Sequence, residues 1–318
     1  MCVIVSALRT PITRARKGGF KDTLPEELLG QVLRATVSRT KIDPKLIDDI
    51  NVGCVLPPGG GATIARMASL WAGYGDAFVA HGCCLLPSQG REKPIPQKKG
   101  LIMDGTWEHP NRIPDTSSVL TVNRQCSSGL QACANVAAAI QTGVIEIGIG
   151  AGMESMTQHY GPGAMPAAVS EAVMSCKQAQ DCLMPMGITS ENVATAHNVS
   201  RQEQDQFAAA SHMKASKAQQ NGWFGEEIVP VTVKDEAGNA VVVAADDGIR
   251  KNVSAEALAK LKPAFKDDGS TTAGNASQVS DGAAAVLFMK RRKAKELGLP
   301  VQGKWVSFAV TGGIPSGP

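Results

Sequence analysis

The sequence predicts an α/β fold, a sheet covered by helices, and three observations carry that expectation. From Cys2 to Gly150, short apolar runs alternate with helical ones in the order strand, helix, strand, helix, strand. Hydrophobic residues make up 43% of the chain and charged residues 19%, a globular balance. The 33 glycines and a surplus of alanine suit helices that lie close on a sheet. At 318 residues the chain is long enough for one large or two medium domains.

CVIVSAL, from Cys2 to Leu8, reads as a buried strand. TLPEELLGQVLRATVSRT follows as a helix, with Thr23 and Glu26 spaced as a capping box and Leu28, Leu29, Val32 and Leu33 on one face. INVGCVL, Ile50 to Leu56, is the next strand. From about 75 to 112 no period is sustained and prolines and lysines interrupt the chain, so an exposed, unstructured insertion is expected. A short apolar strand then leads into a polar turn at Cys126. Leu130 to Gln141 is strongly helical, Gly143 is placed to end it, and IEIGIGAG follows as a glycine-punctuated strand. Past Met156 the chain is rich in glycine, proline and methionine until a helix opened by Ser200 and Glu203, a second capping box, and closed near Gly222. EIVPVTV and AVVVAA read as strands. TTAGNASQVSDG is a polar loop before a strand from Ala283 to Met289, and a basic helix then stops at Gly298. WVSFAVT begins one more strand.

Several function classes drop out at this level. No apolar run reaches the roughly 18 residues of a membrane helix, so no membrane span is expected. A formal charge of +3 is too mild to argue for nucleic acid. Arg9, Arg14, Arg16, Lys17 and Lys21 crowd the start of the chain, as either a solvated basic face or a site for an anionic substrate such as a phosphorylated coenzyme. Eight cysteines form no small secreted framework and no secretory signal precedes the first strand, so free thiols in a reducing compartment are expected. His81, Cys83, Cys84 and His109 fit no common zinc spacing, and no metal site is expected.

The cysteine at the turn carries the chemistry. A thiol attacks as its thiolate, and the free N–H groups and dipole at a helix start favour negative charge. Cys126 is followed by Ser127, Ser128, Gly129 and the helical run, which puts its sulfur in a strand-to-helix bend. Two readings follow from the spacing: a nucleophile, or one more buried cysteine. Cys133, later in the helix among alanines, reads as packing.

VNRQCSSGLQA, GAGMESMT, MGITSENVA and TAGNASQVSDGAAA, in this order, resemble the thiolase family, in particular its peroxisomal 3-ketoacyl-CoA thiolases. The resemblance covers nearly the whole chain outside 75–112. It implies a layered α/β/α/β/α fold, with residues 1–290 as the N-terminal domain, a loop domain at about 156–271, and 297–318 as the start of a C-terminal domain. It implies that Cys126 is the nucleophile of a thiolytic acyltransfer in fatty-acid β-oxidation, carrying the acyl group as a thioester. The substrates would be a 3-ketoacyl-CoA and CoA, with CoA a co-substrate, no other cofactor, and a homodimeric assembly. By the same resemblance Ser277 lines the pantetheine path and Met186 lies near the acyl pocket; loop capping for Ser277 and core filling for Met186 are the structural alternatives.

The sequence also departs from the family. The Asn-Glu-Ala-Phe motif, the Gly-His-Pro histidine and the second cysteine of the family's C-terminal half do not occur in it, and the family has no equivalent of the 75–112 insertion. A splice or gene-model fragment, impaired in turnover and acting at most as a binding or dimerising piece, is therefore the alternative to an active enzyme. A β-ketoacyl synthase type of condensing enzyme is a third, weaker match. The resemblance implies a peroxisomal location, while the absence of a visible targeting signal leaves a cytoplasmic one open.

Overall fold

The computed structural model describes residues 1–72, 113–161, 164–166, 168–235 and 237–313, so the expected insertion at 75–112 lies outside the described residues. In chain order the elements are β1 (Cys2–Arg9), β2 (Thr13–Arg14), α1 (Pro25–Thr40), β3 (Asp49–Gly53), α2 (Ala62–Trp71), β4 (Ser118–Val122), α3 (Ser128–Thr142) and β5 (Ile147–Ser155). Then come α4 (Met156–His159), α5 (Glu171–Met174), α6 (Lys177–Asp181), α7 (Met186–Ala196), α8 (Arg201–Gln220), β6 (Val231–Lys234), β7 (Ala240–Val243) and α9 (Ala255–Leu258). β8 (Ser280–Lys290), α10 (Arg291–Glu296) and β9 (Gly303–Lys304) follow.

The main sheet runs in the order β4-β3-β5-β8-β1-β9, with β2 beside β8. β4, β3 and β5 are parallel, so their C-terminal ends share one edge; β8 is antiparallel to β5, and its start lies at that same edge, Asp281 opposite Ser155. One face carries α1. Leu28, Leu29, Val32 and Leu33 are fully buried there with Val3, Ile50, Ile149 and Leu287, each such side chain contributing about 1.5–3 kcal/mol by leaving water. The other face carries α3, whose Val136, Ala137 and Ile140 pack with Cys2 and Phe288.

α3 sits unusually near the strands because glycines face it. A Cβ at Gly150 would stand 2.7 Å from the Cα of Cys133, and one at Gly53 would stand 2.3 Å from the carbonyl carbon of Ser128. Gly143, at φ 87°, ends the helix as its place in the sequence indicates.

Four local expectations need correction. The Thr23–Glu26 capping box does not form, because Pro25 takes the first helical position and makes Leu24 the N-cap, without a side-chain cap bond. The second box does form: Ser200 and Glu203 exchange both bonds at the start of α8. The strand expected over Ile50 to Leu56 ends at Gly53, since the Cys54 thiol turns to the Gly60 carbonyl at 3.3 Å and the amides of Val55 and Leu56 donate to Glu154 instead of to a strand. EIVPVTV divides at Pro230, which has no N–H: Val229 pairs with Arg9, and only Val231 onward joins β7. At the far end WVSFAVT forms no strand. β9 stops at Lys304, the Trp305 amide donates to the Cys2 carbonyl, and the indole turns edge-on to Phe288 at 5.8 Å.

The close approach of α3 makes a prediction. Gly150→Ala should destabilise the chain by about 1–3 kcal/mol, because the obstacle is helix backbone and not a movable side chain. Urea denaturation measures it, and a loss below about 0.5 kcal/mol, the range of neutral surface changes, would show that α3 moves aside freely.

Candidate active site

Cys126 stands two residues before α3, between the end of β4 and the N-cap Ser127. It is exposed, which overturns the buried-cysteine reading. The bend that presents it is strained. Gln125 has φ 49°, a left-handed conformation that costs an ordinary residue about 1–2 kcal/mol. Three polar side chains offset that cost. Asn123 Oδ1 accepts from the Gln125 amide at 2.9 Å. The buried Ser128 hydroxyl donates to the Gln125 carbonyl at 2.6 Å and accepts from the Arg124 amide at 2.9 Å. Ser127 Oγ donates to the Arg124 carbonyl at 2.8 Å. A sharp, pinned turn of this kind holds one side chain clear of its neighbours.

The other thiols differ by burial. Burial pushes Cys2, Cys54 and Cys133 up to about 11, with the charge of Glu154 adding to the effect at Cys54. These three stay protonated near neutrality and are poor nucleophiles. Cys133 lies against Gly150, where the sequence places packing. Cys176 and Cys182 are exposed but flank the short helix α6.

Ser277 and Met186 lie in the segment between β5 and β8. Ser277 lies just before β8, whose start is at the sheet edge where β4 ends. It is exposed, and its hydroxyl caps no loop group among the described residues. Met186 begins α7 and is 69% exposed, so it does not fill a core. The next residue, Gly187, packs on the Phe265 ring. α7 is tied to the loop leading to Ser277 by Glu191, a buried carboxylate that accepts from the amides of Ser270 at 2.9 Å and Thr271 at 2.7 Å. Burial alone would raise the Glu191 pKa, but the hydrogen bonds from Ser270 and Thr271 prevail and hold it below the usual carboxylate range.

Glu154, on the α3 side at the end of β5, was not singled out by sequence reasoning, although one acid closing a glycine-rich apolar strand is a visible signal. Burial raises its pKa, and the amides of Val55 and Leu56 offset this only in part.

The basic cluster divides: Arg14, Arg16 and Lys17 are exposed, as a solvated face requires, whereas Arg9 is enclosed and offers no free anion site. The Arg9 guanidinium meets Asp246 at 2.7 Å and Glu227 at 2.8 Å and lies 5.3 Å from the Phe224 ring centroid. Arg14 is held by Asp247, and Arg16 donates to the Tyr160 carbonyl at 3.0 Å. Among the described residues no three His, Cys, Asp or Glu side chains converge as a metal site; His81, Cys83, Cys84 and His109 lie outside them. No helix among the described residues is long and apolar enough to cross a membrane.

Residues 2–84 and 96–292 match the family described as thiolase, N-terminal domain. The chain belongs to the thiolase family. It is 47% identical over 317 residues to the peroxisomal 3-ketoacyl-CoA thiolase B of Rattus norvegicus, covering 98% of this chain and 65% of that thiolase. The crystal structure of the dimeric peroxisomal thiolase of Saccharomyces cerevisiae superposes with a TM-score of 0.77 at 40% identity, over 94% of this chain and 67% of the yeast chain. A second structure of peroxisomal 3-ketoacyl-CoA thiolase from the same yeast, described as five layered and built from two core domains of identical topology, has a TM-score of 0.69 at 32% identity over 99% of this chain and 67% of that one. The fold is thus the layered thiolase fold. The chain spans just under two thirds of the length of the curated thiolases it matches.

Two predictions follow from the site. With limiting iodoacetamide at neutral pH, Cys126 should be alkylated well before Cys54 and Cys133 and ahead of Cys176 and Cys182, as read by peptide mass spectrometry. Equal or faster labelling of Cys182 would remove the distinction between the elbow and an ordinary exposed thiol. Glu191, with a depressed folded pKa, contributes stability that is present above its unfolded value of about 4.3 and is lost as the pH falls through the folded value. Glu191→Gln should therefore cost about 1–3 kcal/mol at pH 7, with the gap to the parent chain narrowing below about pH 4. A gap that is constant in denaturation experiments from pH 7 to 3 would show that its charge is immaterial.

Proposed function

We propose that this chain serves thiolytic cleavage of a 3-ketoacyl-CoA, with Cys126 as the nucleophile. The Cys126 thiolate attacks the keto carbon. The bond between that carbon and its α-carbon breaks, its electron pair leaving as the enolate of acetyl-CoA, which takes up a proton. The acyl group stays on the sulfur as a thioester. The thiol of free CoA then attacks that thioester, giving an acyl-CoA two carbons shorter and restoring the thiolate. A cysteine suits both halves because one thioester exchanges for another at little free-energy difference. The observation that carries this reading is the exposed thiol on a pinned strand-to-helix turn, while the enclosed thiols Cys2, Cys54 and Cys133 stay protonated.

Around the nucleophile we read Ser277 as lining the pantetheine path and Met186 as bordering the acyl pocket, supported by their exposure and by the Glu191 tie that joins their segments. We read residues 1–290 as the N-terminal domain, with 156–271 as its loop domain and 297–318 as the start of a second domain; the family match that ends at 292 supports the division. CoA is the co-substrate, and no metal or prosthetic group enters the proposed chemistry. A homodimer in the peroxisome is the assembly and location we infer, since the yeast relative is named dimeric and the curated relatives are named peroxisomal.

The purified chain incubated with acetoacetyl-CoA should carry an acyl adduct on the Cys126 peptide, and added CoA should remove it. The adduct should vanish in Cys126→Ala. An adduct that persists in that variant, or that forms on Cys182 instead, would assign the nucleophile elsewhere.

A further inference from the structure

The end of β5 and the Cys126 bend are linked through a stretch of backbone that belongs to neither. After β3 leaves the sheet, the amide of Val55 donates to Glu154 Oε2 at 2.9 Å and that of Leu56 to Oε1 at 3.3 Å. The carbonyl of the same Val55 accepts from Asn123 Nδ2 at 3.1 Å. Asn123 in turn holds the strained Gln125 through its Oδ1, one residue before Cys126. Carboxylate, backbone, amide side chain and nucleophile bend form one continuous series of hydrogen bonds. We propose that Glu154 is a positioning residue for Cys126, fixing the Val55–Leu56 backbone so that Asn123 can hold the bend. This rests on the reading of Cys126 as the nucleophile.

The physics favours a carboxylate in this place. Two neighbouring amides lie in reach of two oxygens, and only a carboxylate offers both as acceptors without a donor of its own. Hydrogen bonds to a charged acceptor are about twice as strong as neutral ones, which suits a group that must immobilise a turn outside any strand. Glutamine would keep one acceptor but aim its NH2 at the second amide. Alanine would leave both amides without the partner and release Asn123 from a fixed carbonyl. The consequence is read at the sulfur, since small misplacements of reacting atoms lower rates disproportionately.

The test measures the iodoacetamide rate at Cys126 in the 318-residue chain for the parent, Glu154→Ala, Glu154→Gln, Asn123→Ala and the Glu154→Ala/Asn123→Ala pair. The rate at exposed Cys182 in the same samples reports whether each variant is folded alike. Glu154→Ala should lower the Cys126 rate about 10- to 100-fold with Cys182 unchanged, and Glu154→Gln should fall between it and the parent. Because both residues act through the Val55 peptide, the double variant should be no slower than the slower single one. Rates that stay within twofold of the parent, or losses that multiply in the double variant, overturn the proposal. Should Glu154→Ala fail to fold, Glu154→Gln, of equal size, carries the same comparison. Amide hydrogen exchange over residues 123–130 provides a readout independent of thiol chemistry. Faster exchange in the Glu154 variants supports positioning even if Cys126 proves no more reactive than Cys182, a result that would sink only the nucleophile reading. Unchanged exchange together with unchanged rates sinks the positioning role alone.

Discussion

Helix on bare strand backbone is the contact on which the rest of this molecule depends. At Gly53 and Gly150 the backbone of α3 approaches the sheet to distances that no side chain allows. The first turn of the helix is thereby set against the end of β3, and the bend before it must climb steeply from β4. That steepness gives Gln125 its left-handed backbone and leaves Cys126 projecting. A helix one side chain farther out would have permitted a relaxed connection, with the thiol free to turn inward. The site's geometry is thus a consequence of packing at residues that take no part in chemistry.

Carboxylates divide the remaining work by environment. Asp246 and Glu227 neutralise Arg9 where β1 ends, Asp281 gathers Ser155 and Thr157 where β5 ends, and Glu191 binds α7 to the loop before β8. The first two secure junctions at the sheet, and Glu191 secures one within the long segment that precedes β8. Such junctions lack the periodic hydrogen bonding of strands and helices, so a charged acceptor with several donors substitutes for it. The thiols show the opposite use of environment. Those enclosed by the core are kept neutral by desolvation, whereas Cys126, Cys176 and Cys182 lie outside it and are accessible.

What the sequence discloses here follows from the range of the interactions involved. The helix after Cys126 and its stop at Gly143 are local matters of propensity and backbone freedom, and both are legible. So is the Ser200 box, where cap and partner are three residues apart. The Thr23 box has the same spacing and fails because a neighbouring proline fixes the first helical position. Other features depend on residues distant in the chain. Val55 and Leu56 have the composition of a strand, yet Glu154, about a hundred residues later in sequence order, takes their amides. Arg9 looked like part of a basic face, since Glu227 and Asp246 that enclose it cannot be paired with it from composition. The place of Cys126 in a strand-to-helix bend was therefore readable, while the groups that hold it there became visible only in three dimensions.

The position of β1 in the sheet bears on how the chain is made. β1 precedes the other described strands in the chain, yet its partners are β8, with Cys2 opposite Lys290, and β9, with Val3 opposite Lys304. Until those later segments are made, β1 pairs only at its end, where Arg9 bridges Ile228, and the edge of β5 that β8 will cover stays open. Pairing across such separations is slow because chain entropy must be spent before contacts reward it. During synthesis the parallel strands β3, β4 and β5 can assemble with α3, so the Cys126 bend takes shape early. Closure of the sheet waits for β8, and until then the nascent chain carries unpaired edges on β1 and β5 that are open to other strands.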